Sequence, residues 1–268
     1  MGWPVAHSRS PVIHKHWLAR YELLGDYVLL PVQPSHLESA LRALPVLGFA
    51  GCNLTIPHKV AAMELVDRVD PLAQRVGAIN TVVVQGDGAL AGYNTDVFGY
   101  IQSLIDALPQ WRADQGPVAV VGAGGAARAV IAGLLDAGAK EIRLANRSDA
   151  KALDMAHEFG CLVHYVPWKE RNDALDQIAL LVNTTNQGMQ GEPPLAINLN
   201  HLPLEALVSD IIYVPTETPL LAAARARGNP TVNGLGMLLN QARPAFNSWF
   251  GVMPSITSDL IEKLRATF

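Results

Sequence analysis

The chain has 268 residues, 50% hydrophobic and 16% charged, enough apolar material for one large core or two modest ones. Its formal net charge of −4 gives no electrostatic reason to expect a nucleic acid or an anionic membrane surface as partner. The opening residues lack a charged segment followed by an apolar one, no apolar run is long enough to span a bilayer, and Cys52 and Cys161 stand far apart without metal spacing. The expectation is a cytoplasmic protein with free, buried thiols.

Ser10-Pro11 reads as a helix start, Ser10 as N-cap and Pro11 at the first helical position, with Val12, Ile13, His16, Trp17 and Arg20 following at helical spacing. The alternative role for Ser8 and Ser10 is to offer two hydroxyls to a carboxylate at that helix end. His7, His14 and His16 lie close in sequence but have no cysteine or acidic neighbour, so no metal is expected. Residues 27–32 read as a strand, and Ser35 caps a helix over 35–46. A second strand, 49–55, stops at Ile56-Pro57, and a helix opens at Pro57-His58-Lys59. Asn53, Thr55 and Lys59 therefore gather where the carboxyl end of a strand meets a helix start, which is where open α/β sheets bind ligands. The plain alternative for Lys59 is a solvated first-turn lysine. Residues 77–85 and 89–93 form a hairpin around Gly86-Asp87-Gly88, with Asn80 and Thr81 at its start and Asn94-Thr95-Asp96 after its end. A helix follows over 97–108, and the polar, turn-rich residues 109–116 suit a domain boundary.

Beyond that boundary, Gly122, Gly124 and Ala127 stand at the G-x-G-x-x-G/A spacing, between a strand over 118–121 and a helix reaching about residue 137. Gly122 lets the strand turn, and Gly124 removes the Cβ that would collide with a pyrophosphate. Gly125 and Ala126 open a helix whose free N–H groups face the phosphates, and Ala127 lets that helix lie close to the strand. Tight strand–helix packing alone explains many such spacings; here the readable strand and helix on either side favour a dinucleotide site. The next strand, 141–145, ends in Asn146-Arg147-Ser148, with Lys151 just beyond. An NAD site usually carries Asp or Glu there for the ribose 2′-hydroxyl. Neutral and basic residues suit a 2′-phosphate instead, paired with Arg147 and given further donors by Ser148 and Lys151. Asp149, the one acid in the loop, keeps NAD as the alternative to NADP. Residues 180–189 form a strand feeding a polar loop that includes Thr184 and suits the nicotinamide ribose side. A strand over 207–213, a loop and helix to about residue 226, and a strand-and-turn over 231–236 follow. The helix 237–250 sets Met237, Gln241 and Pro244 near one side, with Pro244 expected to kink or tighten it, and Ser255 or Thr257 caps a last helix to 265.

Taken together, residues 2–14, Asn-Leu-Thr-Ile-Pro-His-Lys (53–59), Gly-Ala-Ile-Asn-Thr (77–81), Tyr-Asn-Thr-Asp-Val-Phe-Gly (93–99) and Gly-Ala-Gly-Gly-Ala-Ala-Arg-Ala (122–129) resemble the motifs of the shikimate dehydrogenase family. Asn-Arg-Ser (146–148), Asn-Thr-Thr-Asn-Gln-Gly-Met (183–189) and Gly-Leu-Gly-Met-Leu-Leu-Asn-Gln (234–241) extend the resemblance over nearly the whole chain. It implies an α/β protein of two domains with the active site in the cleft between them: a substrate domain of residues 1–98 plus 237–268, and a Rossmann-type NADP domain of residues 99–236. It further implies that Ser8 and Ser10 hold a substrate carboxylate. Thr55, Lys59, Asn80, Asp96 and Gln241 would contact ring hydroxyls and carbonyl, with Tyr213 reaching in from the other domain. Gly122, Gly124, Gly125, Ala126, Asn146, Arg147, Ser148, Lys151, Thr184, Gly234 and Met237 would hold the cofactor.

The implied reaction is the NADPH-dependent reduction of 3-dehydroshikimate to shikimate, on the route to chorismate and the aromatic amino acids. Lys59 would exchange the proton at the carbonyl oxygen, and Asp96 would orient Lys59. A quinate/shikimate or related polyol dehydrogenase using NAD is the near alternative. A non-catalytic sensor is the distant one, which the presence of both Lys59 and Asp96 argues against. The expected partner is a small-molecule substrate, with no nucleic acid or membrane, on a monomer or homodimer. Three features depart from the family pattern. The sequence opens at Met1-Gly2, so either its start is short or the family's usual first strand is expected to be missing; Lys15 stands where Asn is common, and Thr184 and Asn186 replace the usual Ala and Ser.

Overall fold

In the computed structural model, which describes residues 1–268, the chain separates into two units, Met1–Gly99 with Leu239–Phe268, and Tyr100–Leu238. The first unit opens with α1 (Ser10–Arg20), α2 (Leu37–Ala43), β1 (Gly51–Asn53) and α3 (His58–Ala61). It continues through β2 (Arg68–Val69), α4 (Pro71–Val76), β3 (Thr81–Val84), β4 (Leu90–Tyr93) and the start of α5 (Asp96–Ala107). Its four strands lie in the order β1-β3-β4-β2, antiparallel except for the β4–β2 edge. The register sets Asn53 opposite Thr81 and Thr81 opposite Tyr93, so three strand ends meet at one edge of the sheet.

Several expected elements are shorter or shifted, each for a local reason. Ser10 is the first residue of α1 rather than its cap, and the hydroxyl that meets its N–H, at 3.4 Å, is that of Ser8. Residues 27–32 form no strand. Pro31 has no N–H to give a ladder, and the segment makes a single parallel bridge to Gly2 through Leu30 O and Val32 N. Ser35 sits inside a 3-10 turn, Pro34–His36, so α2 begins only at Leu37. Helix α4, unforeseen from the pattern, is capped by Asp70, whose carboxylate accepts from Leu72 N at 3.0 Å.

The second unit runs β5 (Val118–Val121), α6 (Gly125–Asp136), β6 (Ile142–Ala145), α7 (Asp149–Phe159), β7 (Val163–Val166), β8 (Leu180–Asn183), β9 (Leu207–Asp210), α8 (Pro219–Arg227) and β10 (Thr231–Val232). All six strands are parallel, in the order β10-β9-β8-β5-β6-β7, so the strand order reverses between β5 and β8. β5, β8 and β9 are buried at every position, as a parallel sheet covered on both faces requires. Val118 and Val120 point to one face, with Ala127, Ile131 and Leu134 of α6. Ala119 and Val121 point to the other, with Leu220, Leu221 and Ala224 of α8. Cys52 is buried, and burial pushes its thiol up to about 11, whereas Cys161 is exposed in the turn after Gly160, contrary to the expectation of two buried thiols.

The chain returns to the first unit along α9 (Leu235–Phe250), which continues through Pro244, and ends with α10 (Ser258–Arg265). Phe246 and Trp249 of α9 join Trp17, Tyr27 and His14 in an aromatic cluster in which the His14 ring stacks on Tyr27 at 4.2 Å. His14 is fully buried, neither ring nitrogen has a hydrogen-bond partner, and burial pushes its pKa down to about 3. An unfolded histidine takes up its proton near pH 6.5, so between about pH 6.5 and 3 the unfolded chain binds the extra proton and acid favours unfolding. From this group alone, stability at pH 5 should lie about 2 kcal/mol below that at pH 7.5. His14→Phe, which keeps the stack, should flatten that part of the pH dependence in urea unfolding and lose no stability at neutral pH. An unchanged slope would assign the acid sensitivity elsewhere.

No helix is long and apolar enough to cross a membrane.

Candidate active site

The end of the sheet where β1 and β4 stop and β3 starts carries the first unit's polar cluster. Asp96 opens α5, where a carboxylate is favoured by the helix dipole, and Asn94 caps that helix by accepting from Asp96 N at 3.1 Å and Val97 N at 3.3 Å. Lys59, in the short α3, donates to Asp96 Oδ2 at 2.5 Å, with side-chain exposures of 17% and 5% respectively. The other carboxylate oxygen accepts from Asn80 Nδ2 at 2.8 Å. Lys59 is thus a nearly enclosed ammonium paired with a buried acid, unlike the solvated lysine of the plain alternative.

Asn80 is the hub. Its carbonyl oxygen accepts from Thr95 N at 2.8 Å, and its amide lies 3.5 Å from Gln241 Oε1 on α9. Gln241 comes so near because Gly99 has no side chain; a Cβ there would lie 2.6 Å from Gln241 Cβ. Asn53 donates to Asn80 O at 3.2 Å and to Thr81 Oγ1 at 3.0 Å, and accepts from the Tyr27 hydroxyl at 2.7 Å. Tyr27 is hydrogen-bonded in turn to Ser10, which lies 3.3 Å from Ser8 Oγ, and burial raises its phenol above the ordinary value. One hydrogen-bonded chain therefore links Ser8 and Ser10 to Lys59 through Tyr27, Asn53, Asn80 and Asp96. Thr55 is fixed by its backbone, N to Met1 O at 2.9 Å and O to His58 N at 2.9 Å. Tyr27 escaped the sequence reading because it sat in an expected strand; its one signal is a phenol among apolar neighbours.

In the second unit, Gly122 takes φ +115° and ends β5, and a Cβ on it would meet Thr184 Oγ1 at 2.4 Å. Gly124 is the N-cap of α6 in extended conformation. No side chain caps that helix, and nothing lies within 4 Å of where a Cβ on Gly124 would be. The first-turn amides, from Gly125 and Ala126 onward, are thus left for an anion approaching over Gly124, which fits a diphosphate. Arg147, Ser148 and Lys151 are exposed past the end of β6, and Asn146 Nδ2 donates to Ser148 O at 2.9 Å. Asp149 is committed elsewhere, accepting from Trp168 N at 3.0 Å, so the one acid in the loop is held by the backbone. The residue set fits a 2′-phosphorylated dinucleotide. Thr184 donates its hydroxyl to Val121 O at 2.8 Å, which leaves its backbone rather than its hydroxyl for a ligand. Gly234 packs so closely that a Cβ would stand 1.9 Å from Ile211 O, and Met237 is buried in the core shared with Val118 and Val120. The expected strand over 207–213 ends at Asp210, whose carboxylate takes Ile212 N at 3.1 Å; Tyr213 lies in the loop beyond, half-buried.

A parallel sheet reversing beside a glycine turn, together with an enclosed Lys–Asp pair, defines a dinucleotide-binding α/β protein equipped for proton exchange. Residues 1–82 match the family model of the shikimate dehydrogenase substrate binding domain, and residues 107–190 that of shikimate / quinate 5-dehydrogenase. The chain is 54% identical over 260 residues to the shikimate dehydrogenase (NADP(+)) of Paramagnetospirillum magneticum, covering 97% of this chain and 94% of that one. Among solved structures it matches shikimate 5-dehydrogenase from Thermus thermophilus in complex with NADP(H) and shikimate, with TM-score 0.89, 36% identity and coverage of 100% and 97%. It also matches quinate dehydrogenase from Corynebacterium glutamicum in complex with NAD, with TM-score 0.91, 31% identity and coverage of 99% and 96%. The chain belongs to the shikimate dehydrogenase family.

Proposed function

We propose that this protein is an NADP-dependent oxidoreductase that interconverts 3-dehydroshikimate and shikimate, supplying chorismate and the aromatic amino acids from the cytoplasm. The observation that carries the reading is the Lys59–Asp96 pair, anchored on Asn80 in a chain so similar to a named shikimate dehydrogenase. Residues 1–98 with 237–268 are assigned to substrate and residues 99–236 to NADP.

When bound, NADPH supplies the hydride that reaches the carbonyl carbon. Lys59 Nζ gives the proton to the carbonyl oxygen and takes it back in the oxidative direction. Asp96 holds Lys59 in place and accepts from the neighbouring ring hydroxyl, while Asn80 keeps Asp96 from turning away. Thr55, Gln241 and Tyr213 are assigned polar contacts to the ring, and Ser8 and Ser10 the carboxylate. Gly124, Gly125 and Ala126 would receive the diphosphate. Arg147, Ser148 and Lys151, with Asn146 shaping their loop, would receive the 2′-phosphate, and Thr184, Gly234 and Met237 the nicotinamide side.

The match to a quinate dehydrogenase bound to NAD supports a second reading, a quinate/shikimate dehydrogenase using NAD. Rates with shikimate and quinate, each with NADP and NAD, separate the two. The proposal expects shikimate with NADP to dominate, and Arg147→Ala to lower the NADP-over-NAD preference by about tenfold or more, chiefly through KM for NADP. Faster turnover of quinate with NAD would favour the second reading.

A further inference from the structure

Asp210, the last residue of β9, has a fully buried carboxylate with no cation beside it. Burial raises its pKa, against the pull of three donors: Thr218 Oγ1 at 2.7 Å, Asn183 Nδ2 at 3.1 Å and Ile212 N at 3.1 Å. A buried acid without a cation is costly, and the strand ends need no such help. The β8–β9 ladder already pairs Asn183 with Asp210. What the carboxylate adds lies beyond the ladder.

Asn183, held by Asp210, donates to Gln187 O at 3.1 Å and accepts from Thr185 N at 3.0 Å and Thr185 Oγ1 at 2.8 Å, which shapes the loop carrying Thr184. Ile212, held through its N–H, accepts at its carbonyl from Gly234 N at 2.9 Å, and Val214 O accepts from Gln190 N at 3.2 Å. Thr218, the third partner, caps α8 through Leu221 N at 3.3 Å. The loops after β8 and β9 and the turn at Gly234 are thus one hydrogen-bonded plate with Asp210 at its centre. That plate adjoins the reversal point between β8 and β5, whereas Arg147 and Lys151 follow β6, on the far side of β5.

We infer that Asp210 is a positioning residue whose carboxylate holds the loops after β8 and β9 in the shape that receives the nicotinamide half of the dinucleotide. The inference rests on the proposed NADP reading. The test compares NADP with adenosine 2′,5′-bisphosphate, which has the adenine, ribose and 2′-phosphate but no nicotinamide half. Affinities are measured by calorimetry alongside kcat. In Asp210→Ala the bisphosphate should bind within about twofold of the unaltered protein, while Kd for NADP rises about tenfold and kcat falls about 30-fold. Asp210→Asn should stay within about threefold on all three readouts. Its Oδ1 still accepts from Asn183 and Ile212, and its NH2 can donate to Thr218, since a hydroxyl both gives and accepts. Equal weakening of both ligands, or of neither, would overturn the inference, because a merely structural acid would not separate the two halves. Should Asp210→Ala not fold, Thr218→Val, which removes one donor, carries the same comparison with a smaller split, and no split overturns it. An unaltered chain that binds the bisphosphate and NADP but does not oxidise shikimate would sink the proposed reaction alone, while one that binds neither sinks both.

Discussion

Lys59→Ala is expected to lower kcat for shikimate oxidation by about 10²–10⁴-fold while raising KM only a few-fold, the range lost when a positioned general acid–base group is removed. Three observations set the direction. Lys59 is the only cation paired with Asp96, it is 17% exposed, and its partner is held from the other side by Asn80 Nδ2. Removing the ammonium leaves a carboxylate that still accepts from Asn80 but can give no proton to the substrate oxygen. The variant should fold, because α3 is short and Lys59 lies outside the buried core, although the stranded charge on Asp96 lowers stability by about 1–3 kcal/mol. Steady-state rates with a thermal melt in parallel check both parts. Near-unaltered kcat in a folded Lys59→Ala would remove the proton-transfer role.

The other large effect should come from Gly122→Ala. At φ +115° an alanine pays for a backbone state that side chains avoid, about 1–3 kcal/mol, and its Cβ would press on Thr184 Oγ1 at 2.4 Å and Thr185 Cγ2 at 3.0 Å. Overpacking of that kind adds about 1–3 kcal/mol, for a total loss of about 2–6 kcal/mol in urea unfolding. Because the turn also leads into the uncapped start of α6, the proposed diphosphate site, NADP affinity should fall with it. Thr184→Ala in the same chain relieves the worst contact but not the dihedral angle. The double variant should therefore recover about 1–2 kcal/mol relative to the sum of the single losses. A Gly122→Ala protein as stable as the unaltered one, with unchanged NADP affinity, would mean that the turn tolerates a side chain.

Most of the parallel sheet was legible because its strands are short apolar runs, β5 stopping at Gly122, β6 before Asn146 and β8 at Asn183, and Gly122, Gly124 and Ala127 mark the strand–helix junction by type and spacing alone. The polar cluster of the first unit was legible in the same way: Lys59, Asn80 and Asp96 each stand at an element boundary, and the structure brings them together. The misreadings share a cause in tertiary partners. The residue 27–32 segment has the residues of a strand, but with Pro31 in it the backbone forms no ladder beyond the single bridge to Gly2. Residues 211–213 have them too, but Asp210 diverts Ile212 N from any ladder. Helix α7 and strand β7 lie outside the expected elements, although Ser148-Asp149 and Gly160 bracket the helix. Tyr27 and Asp210 show the deeper limit. Both act through hydrogen bonds to residues distant in sequence, Asn53 for one and Asn183 for the other, and no local pattern encodes such a pairing.

The first unit is discontinuous, closed by Leu239–Phe268 after the whole of the second has been made. On the ribosome, the stretch Tyr100–Leu238 is complete in itself when it emerges, but Met1–Gly99 is not. His14, Trp17 and Tyr27 wait for Phe246 and Trp249, and Asn80 waits for Gln241. The order of completion is the reverse of the order of synthesis. The aromatic face of α1 stays wet until Phe246 and Trp249 have been made, and until then it is apolar surface that needs shielding.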